Sequence, residues 1–293
     1  MNNSIIKKAH ELCIHILPEN QSMVPYDYTI IIPYRKRYIN LKITYESIRK
    51  SIEYTSNKRI NCIVFEHSEE PEAKEFCKEN AIEYIYVPIC NIDNLDQFNR
   101  GLAFDMSVIY SVPAKGYVFH DVDIFIPVNF WNCLEENCRE QNVTVLQTYA
   151  NRCVNNIQPE ITIQLHSGIL DYTEITANHC LDRSPGSWGG SLYIERTTYF
   201  EIGGHDPDLF SGYAPEDQCI VHKCIIKKYT IGFANYPPIQ LYHQYHSPTA
   251  MTNTRLDSMT SLLHYLKQSP DILNTYIDTK KAHMLEYVTQ ARI

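Results

Sequence analysis

Four short apolar runs separated by three stretches of helical periodicity occupy residues 28–120, and that alternation restricts the fold more than any other feature of the chain. The runs are Tyr28–Ile32, closed by Pro33, then Asn61–Phe65, Ile82–Val87 and Gly116–His120. Such continuous runs suit strands buried on both faces. Between them, Ile39–Tyr54 places Leu41, Tyr45, Ile48 and Ile52 on one helical stripe, and Glu69–Glu79 and Asp96–Tyr110 read as two further helices. Strand alternating with helix predicts an α/β chain with a mostly parallel central sheet flanked by helices. In such sheets ligands bind beyond the carboxyl ends of the strands, so the segments after each run are the ones to examine. The second half is less regular, with helices expected near Glu216–Lys227 and Ser269–Thr289.

The remaining 293-residue composition removes several classes of function. With 26 basic and 34 acidic side chains the net charge is −8, which argues against a protein that tracks a nucleic-acid backbone. Hydrophobic residues make up 44%, enough to bury a full core. No apolar run reaches the ~20 residues that span a bilayer. The N-terminal segment does not read as an export signal, because charges interrupt its apolar residues. Ile5, Ile6, Leu12, Ile16 and Leu17 instead suggest one face of a short helix, packed or bound to a partner, with peripheral membrane contact as the alternative. Ten scattered cysteines form no CxxC pair, so reduced thiols in a cytoplasmic protein are expected rather than structural zinc or a disulfide framework.

Three clusters carry chemistry. Asp121-Val122-Asp123 follows an apolar strand and precedes the apolar Ile124-Phe125-Ile126. In extended chain its two carboxylates would point the same way, about 6–7 Å apart. Paired carboxylates at a strand end call for a cation or donors, and a hard divalent ion that also holds a diphosphate would serve. A solvated turn is the plainer reading of the triplet taken alone. The second cluster runs from Trp188-Gly189-Gly190 through Gly203-Gly204 to Tyr213-Ala214-Pro215-Glu216-Asp217. Paired glycines let backbone approach a ligand, or simply make a turn; the two acids could do no more than favour a helix N-terminus. The third is His243-Gln244-Tyr245-His246, two histidines that alone would be read as surface or core residues.

Taken in order, IIIPYRKR, QFNRG, FHDVD, WGGSLYIERTTYFEIGGHDPDLFSGYAPED, YHQYHS and a downstream Arg255-Leu256 are a more specific signal than any one piece. The set resembles the beta-1,4-galactosyltransferase family, metal-dependent inverting glycosyltransferases of the GT-A fold, and the likeness runs from about Tyr28 to Tyr265. It implies residues 26–265 as the catalytic domain, with a nucleotide-sugar half (26–127) and an acceptor half (128–265). Residues 1–25 would be an N-terminal helical extension and 266–293 a C-terminal helix.

The resemblance also implies roles. Pro33, Tyr34, Arg35 and Arg37 would line the uridine end of a UDP-sugar, and Phe98 and Arg100 would hold the uracil, an aromatic face beside a planar cationic fork. Asp121 would lie near the ribose, with Val122, Gly190 and Tyr213 also on the donor. Asp123, His243 and His246 would hold the metal, manganese with magnesium also accommodated, since mixed nitrogen and oxygen ligands suit manganese. Asp217 would be the general base and Glu216 would orient donor or acceptor. Trp188, Gln218, Arg255 and Leu256 would face the acceptor, a saccharide or glycolipid. Ser187 stands where galactose-specific members carry a bulky tyrosine against the donor's C2 group, so UDP-N-acetylgalactosamine should be tolerated beside UDP-galactose.

Three departures from the family are visible. Tyr213 replaces the tryptophan of its mobile loop, Gln218 replaces an acidic residue that contacts acceptor, and the membrane anchor of animal members has no counterpart. A bacterial-type cytoplasmic enzyme, or a shortened form of an anchored one, is the resulting expectation. The other readings are a polymerising or retaining transferase of capsule or polypeptide N-acetylgalactosaminyl type, and a non-catalytic nucleotide-sugar-binding relative.

Overall fold

The computed structural model describes residues 5–19, 21, 24–92, 95–181, 184–185, 188–212, 214–246 and 253–291. Four strands, β2 (Tyr26–Tyr34), β3 (Ile60–Ser68), β4 (Glu83–Pro88) and β5 (Ala114–His120), run parallel in the spatial order β4-β3-β2-β5. They coincide with the four apolar runs. The crossovers are α2 (Tyr38–Tyr54), α3 (Lys74–Glu79) and α4 (Arg100–Tyr110). Two of these helices are shorter than the periodicity predicts. Residues ahead of α3 form a loop because buried Glu66 accepts the backbone N–H groups of Glu72 and Ala73, which ties that stretch to the end of β3. Helix α4 starts at Arg100 because the Asn99 side chain accepts the Leu102 N–H and caps it there.

Both faces of the parallel strands are buried, and adjacent residues serve opposite cores. Ile31, Phe65 and Phe119 pack toward α4 and the C-terminal helix, whereas Ile30, Ile32, Val64 and Val118 pack against Leu41 and Ile48 of α2 and Trp131. This is the physical reason the strands read as unbroken apolar runs rather than alternating ones.

The N-terminal segment contributes α1 (Ile5–Leu12) and then β1 (Ile14–Ile16), which pairs antiparallel with β4 and extends the sheet. Thus Ile16 lies in a strand and not on the helix face read from the sequence. Beyond β5 the sheet departs from a simple parallel order. Strand β6 (Ile124–Phe125), α5 (Phe130–Gln141), β7 (Val145–Gln147), β8 (Cys153–Asn156), α6 (Pro159–His166), β9 (Ser184–Pro185) and β10 (Ser191–Glu195) follow. Strand β10 inserts antiparallel between β5 and β7. Helices α7 (Arg196–Glu201) and α8 (Glu216–Ile226), strands β11 (Ile231–Phe233) and β12 (Tyr242–His243), and helices α9 (Asn253–Leu266) and α10 (Pro270–Gln290) complete the chain. A second small sheet, β6-β12-β8-β9, stands at the carboxyl edge of the main one. None of the ten cysteines forms a disulfide. Among the described residues no helix is long and apolar enough to cross a membrane.

Candidate active site

The site grows out of the end of β5. There His120 gives way to Asp121-Val122-Asp123, which is a turn: the Ile124 N–H bonds back to the Asp121 carbonyl. The two carboxylates therefore do not lie side by side as extended geometry would place them. They serve two different clusters.

Asp123 is 2% exposed and faces the histidines. Short antiparallel pairing of β12 with β6 sets His243 opposite Ile124, and the Gln244 N–H bonds to the Asp123 carbonyl at 2.8 Å. His243 Nε2 then lies 3.5 Å from Asp123 Oδ1 and His246 Nε2 3.3 Å from Oδ2. One ligand atom from each of the three falls within 4.8 Å of the others. Arg37, at the start of α2, also donates to Asp123 Oδ2. Burial would push the Asp123 carboxyl upward, but the His243 hydrogen bond and the charges of His243, Arg37 and His246 outweigh it and hold it well below the usual carboxylate range. Burial is the largest single effect on His243 and depresses it, but its bond to Asp123 and the charges of Asp123 and Asp121 together outweigh burial, so its net shift is upward. A buried carboxylate with two imidazoles is a donor set that fits a divalent transition ion such as manganese, and magnesium, which favours oxygen, less well.

Two residues that sequence reading missed hold these ligands. Asn156 Oδ1 accepts from His243 Nδ1 at 3.2 Å, because parallel pairing of β12 with β8 sets the two residues opposite one another. Gln244, fully buried between the histidines, bonds Asn40, Thr44 and His166 and so fixes the local backbone. An asparagine 87 residues away leaves no signal in sequence. Gln244 was in plain view in the motif, but nothing in its spacing marks it as an anchor.

Asp121 turns instead toward Arg100. The guanidinium Nη2 donates to Asp217 Oδ1 at 2.7 Å and sits 3.5 Å from Asp121 Oδ1, while Nε is 3.1 Å from Glu216 Oε1. Glu216 and Asp217 form the first turn of α8, so they are both a helix N-terminus and part of a converging carboxylate cluster. Burial favours neutral forms here and Arg100 only partly compensates. Asp121 rises to about 6 and Glu216 to about 8, each pushed further by neighbouring carboxylates. Burial works against the charge of Arg100 as well, but the three acids hold its guanidinium protonated.

The paired glycines sit against this cluster. Gly190 takes a left-handed backbone (φ 97), and a Cβ there would meet Ile124 Cδ1 at 2.9 Å; its carbonyl accepts the Asp121 N–H at 2.8 Å. Trp188 lies beneath the guanidinium of Arg152, 4.2 Å from its ring centroid, and against Phe233. Arg152 and Asn151, next to each other in the chain, both have positive φ.

The other sequence-derived candidates scatter. Tyr34 is fully buried and donates to Glu72, at the end of β2 after Pro33. Arg35 pairs with Glu69. Val122 is buried and its carbonyl accepts Thr44 Oγ1. Phe98 packs near the ring of His67, whose Nδ1 accepts the Asn99 N–H. Arg100, two residues on, is therefore directed at the carboxylates and not beside the Phe98 ring. Gln218 is exposed on α8. Ser187 and Tyr213 lie outside the described residues, as do the side chains of Arg255 and Leu256 on α9.

No protein-family model matches the sequence, and no curated protein matches it either. Solved structures do. GalNAc-T7 with UDP, GalNAc and Mn2+ matches at a TM-score of 0.55 and 12% identity, over 94% of this chain and 55% of that one. S. aureus TarS 1–349 in complex with UDP matches at 0.51 and 12% identity, over 88% of this chain and 70% of that one. The chain has the GT-A glycosyltransferase fold. The catalytic domain of Drosophila beta1,4galactosyltransferase 7, in complex with xylobiose, also matches, with 13% identity over 84% of this chain and 83% of that one, but its TM-score of 0.49 adds nothing to that statement. These likenesses give the fold and stop short of the family that the motifs resemble.

Proposed function

We propose that this chain is a metal-dependent inverting glycosyltransferase that moves a hexose, galactose or N-acetylgalactosamine, from a UDP-sugar to a hydroxyl of a saccharide or glycolipid acceptor. The observation that carries the reading is the division of labour across one turn: Asp123 joins His243 and His246, while Asp121 joins Arg100, Glu216 and Asp217. A cation site and a carboxylate cluster two residues apart suit a reaction that must release a diphosphate and accept a proton together. The complexes of GalNAc-T7 with UDP, GalNAc and Mn2+ and of TarS with UDP support the choice of donor and metal.

In this reading Asp123, His243 and His246 hold the ion, which when bound stabilises negative charge on the departing diphosphate. Arg37, just past β2 and bonded to Asp123, lies beside that charge. Asp217, hydrogen-bonded to Arg100, takes the proton of the acceptor hydroxyl as its oxygen attacks the anomeric carbon. The new bond forms as the bond to UDP breaks, and a β-linked product follows from an α-linked donor.

UDP release from a panel of UDP-sugars, with and without acceptor sugars, tests this. Manganese-dependent release is expected, lost in EDTA and in the folded variants Asp123→Ala and His246→Ala. Full turnover in EDTA removes the metal-assisted mechanism. Retention of configuration favours the second reading, a transferase of capsule or polypeptide N-acetylgalactosaminyl type, for which the likeness to GalNAc-T7 speaks. Tight UDP binding with no donor consumed leaves a non-catalytic binding protein.

A further inference from the structure

Around Arg100, three carboxylates converge on one guanidinium in a largely buried site. If all were ionised the cluster would carry two uncompensated negative charges, and like charges at this range do not all ionise. The three acids are not equivalent. Asp217 is 24% exposed at its side chain and receives a direct hydrogen bond from Arg100 Nη2 at 2.7 Å. Asp121 is 27% exposed at its side chain and lies 3.5 Å from the same nitrogen. Glu216 is only 6% exposed, its Oε1 meets Arg100 Nε at 3.1 Å, and its Oε2 has no hydrogen-bond partner among the described residues. Arg100 comes from the N-terminus of α4, Asp121 from the end of β5, and Asp217 and Cys219 from α8 itself; these are the charged and titratable groups that face Glu216. Among the described residues Arg100 is the one cation in this group, and its direct hydrogen bond goes to Asp217.

We propose that Glu216 works as an un-ionised carboxylic acid: Oε1 stays against the Arg100 guanidinium, and the Oε2 hydroxyl donates to a hydroxyl oxygen of the bound sugar. This rests on the glycosyltransferase reading and assigns the acid pair two opposite tasks. Asp217 accepts a proton and Glu216 supplies a hydrogen-bond donor, so the pair can grip a sugar through one oxygen that acts as acceptor and one hydroxyl that acts as donor. An ionised Glu216 could only accept, and would repel Asp217 in the state in which that residue must be a base. The direction of its shift agrees: burial first, then the neighbouring acids, raise Glu216 to about 8 against the pull of Arg100. The arrangement follows the general pattern in which neighbouring acids are driven apart in acidity so that each takes one role.

The ligand-free protein gives the decisive measurement. An infrared pH titration of the wild type minus Glu216→Gln should show a protonated carboxyl at pH 7 that disappears near pH 8. A titration near the ordinary glutamate value of about 4.3 overturns the proposal. Asp217→Asn provides a check that does not depend on Glu216→Gln folding: removing the neighbouring charge should lower the midpoint by on the order of one unit, as coupled groups do. An unmoved midpoint overturns it. In transfer assays the wild type should lose rate above about pH 8, whereas Glu216→Gln, which cannot ionise, should show no such fall; the same fall in both overturns the assignment. Because the titration needs no substrate, its failure is separable from a failure of the glycosyltransferase reading, which would appear as a protonated Glu216 in a protein that consumes no UDP-sugar.

Discussion

Replacing Asn156 by alanine removes a group that touches no ligand of the proposed reaction and should nonetheless weaken the metal site. Asn156 Oδ1 accepts from His243 Nδ1 at 3.2 Å, which holds a proton on Nδ1 and makes Nε2, 3.5 Å from Asp123, the nitrogen that would lose its proton to bind a metal. In alanine that oxygen is gone, so the imidazole is free to rotate and to take the other tautomer, and metal binding must then order it. Loss of a bond of this kind costs roughly 10- to 100-fold in metal affinity, equivalent to about 1.4–2.8 kcal/mol. The change sits at the end of β8 in a partly buried position, so the unfolding midpoint should move little. Calorimetric titration of Mn2+ into the nucleotide-free protein, with His243→Ala as the reference for complete loss of one ligand, reads the effect directly. Asn156→Ala should fall between the wild type and that reference. Affinity equal to wild type would refute the argument that Asn156 orients the ligand, and affinity as low as His243→Ala would mean that the asparagine itself acts as a ligand.

Other outcomes follow from the same geometry. Asp217→Asn keeps the shape of the base but not its proton acceptance, and should lower the transfer rate by ~10²–10⁴-fold while leaving UDP affinity nearly unchanged; near-normal turnover would transfer the role to another carboxylate. Lys223 and Asp206 form an ion pair with side chains 0% and 1% exposed, braced by Tyr276 and the Gly204 carbonyl. Lys223→Met leaves buried Asp206 without its hydrogen-bonded cation, with only Lys280 nearby, and should cost ~3 kcal/mol in urea unfolding; a loss under 1 kcal/mol would show that the pair is dispensable. Ser187→Tyr should selectively suppress use of UDP-N-acetylgalactosamine relative to UDP-galactose by steric exclusion, and an unchanged donor ratio would mean that residue 187 does not border C2.

Much of the nucleotide-binding half is legible in sequence because its strands are buried on both faces. Ile30, Ile31 and Ile32 must all be apolar whichever core each one faces, so the run stands out without any knowledge of the partner helices. The acid pair Glu216-Asp217 and the histidines could be picked out as well, because they recur in an order that resembles one family. The turn at Asp121–Asp123 is hard to tell from extended chain in sequence for a local reason. An apolar strand precedes it and another follows, and only the bond from the Ile124 N–H back to the Asp121 carbonyl shows that the chain turns there. The late start of α4 is similar, since Asn99 caps the helix three residues after the periodicity begins to look helical.

By itself the sequence determined the parallel strands, the helices that cross between them, and the set of residue types able to hold a cation and a proton. Short-range forces explain that much: side-chain burial and backbone periodicity act within a few neighbours, and they are written in the order of residues. Only the tertiary structure decided the pairings. It set Asn156 behind His243 through two strands that share no sequence neighbourhood, and it turned Asp123 and Asp121 toward different partners. It also placed Arg100 among the acids of α8, away from the Phe98 ring. Each of these contacts joins segments far apart in the chain, and which residues meet depends on strand register and helix placement. Those are properties of the whole packed core, so no local pattern carries them.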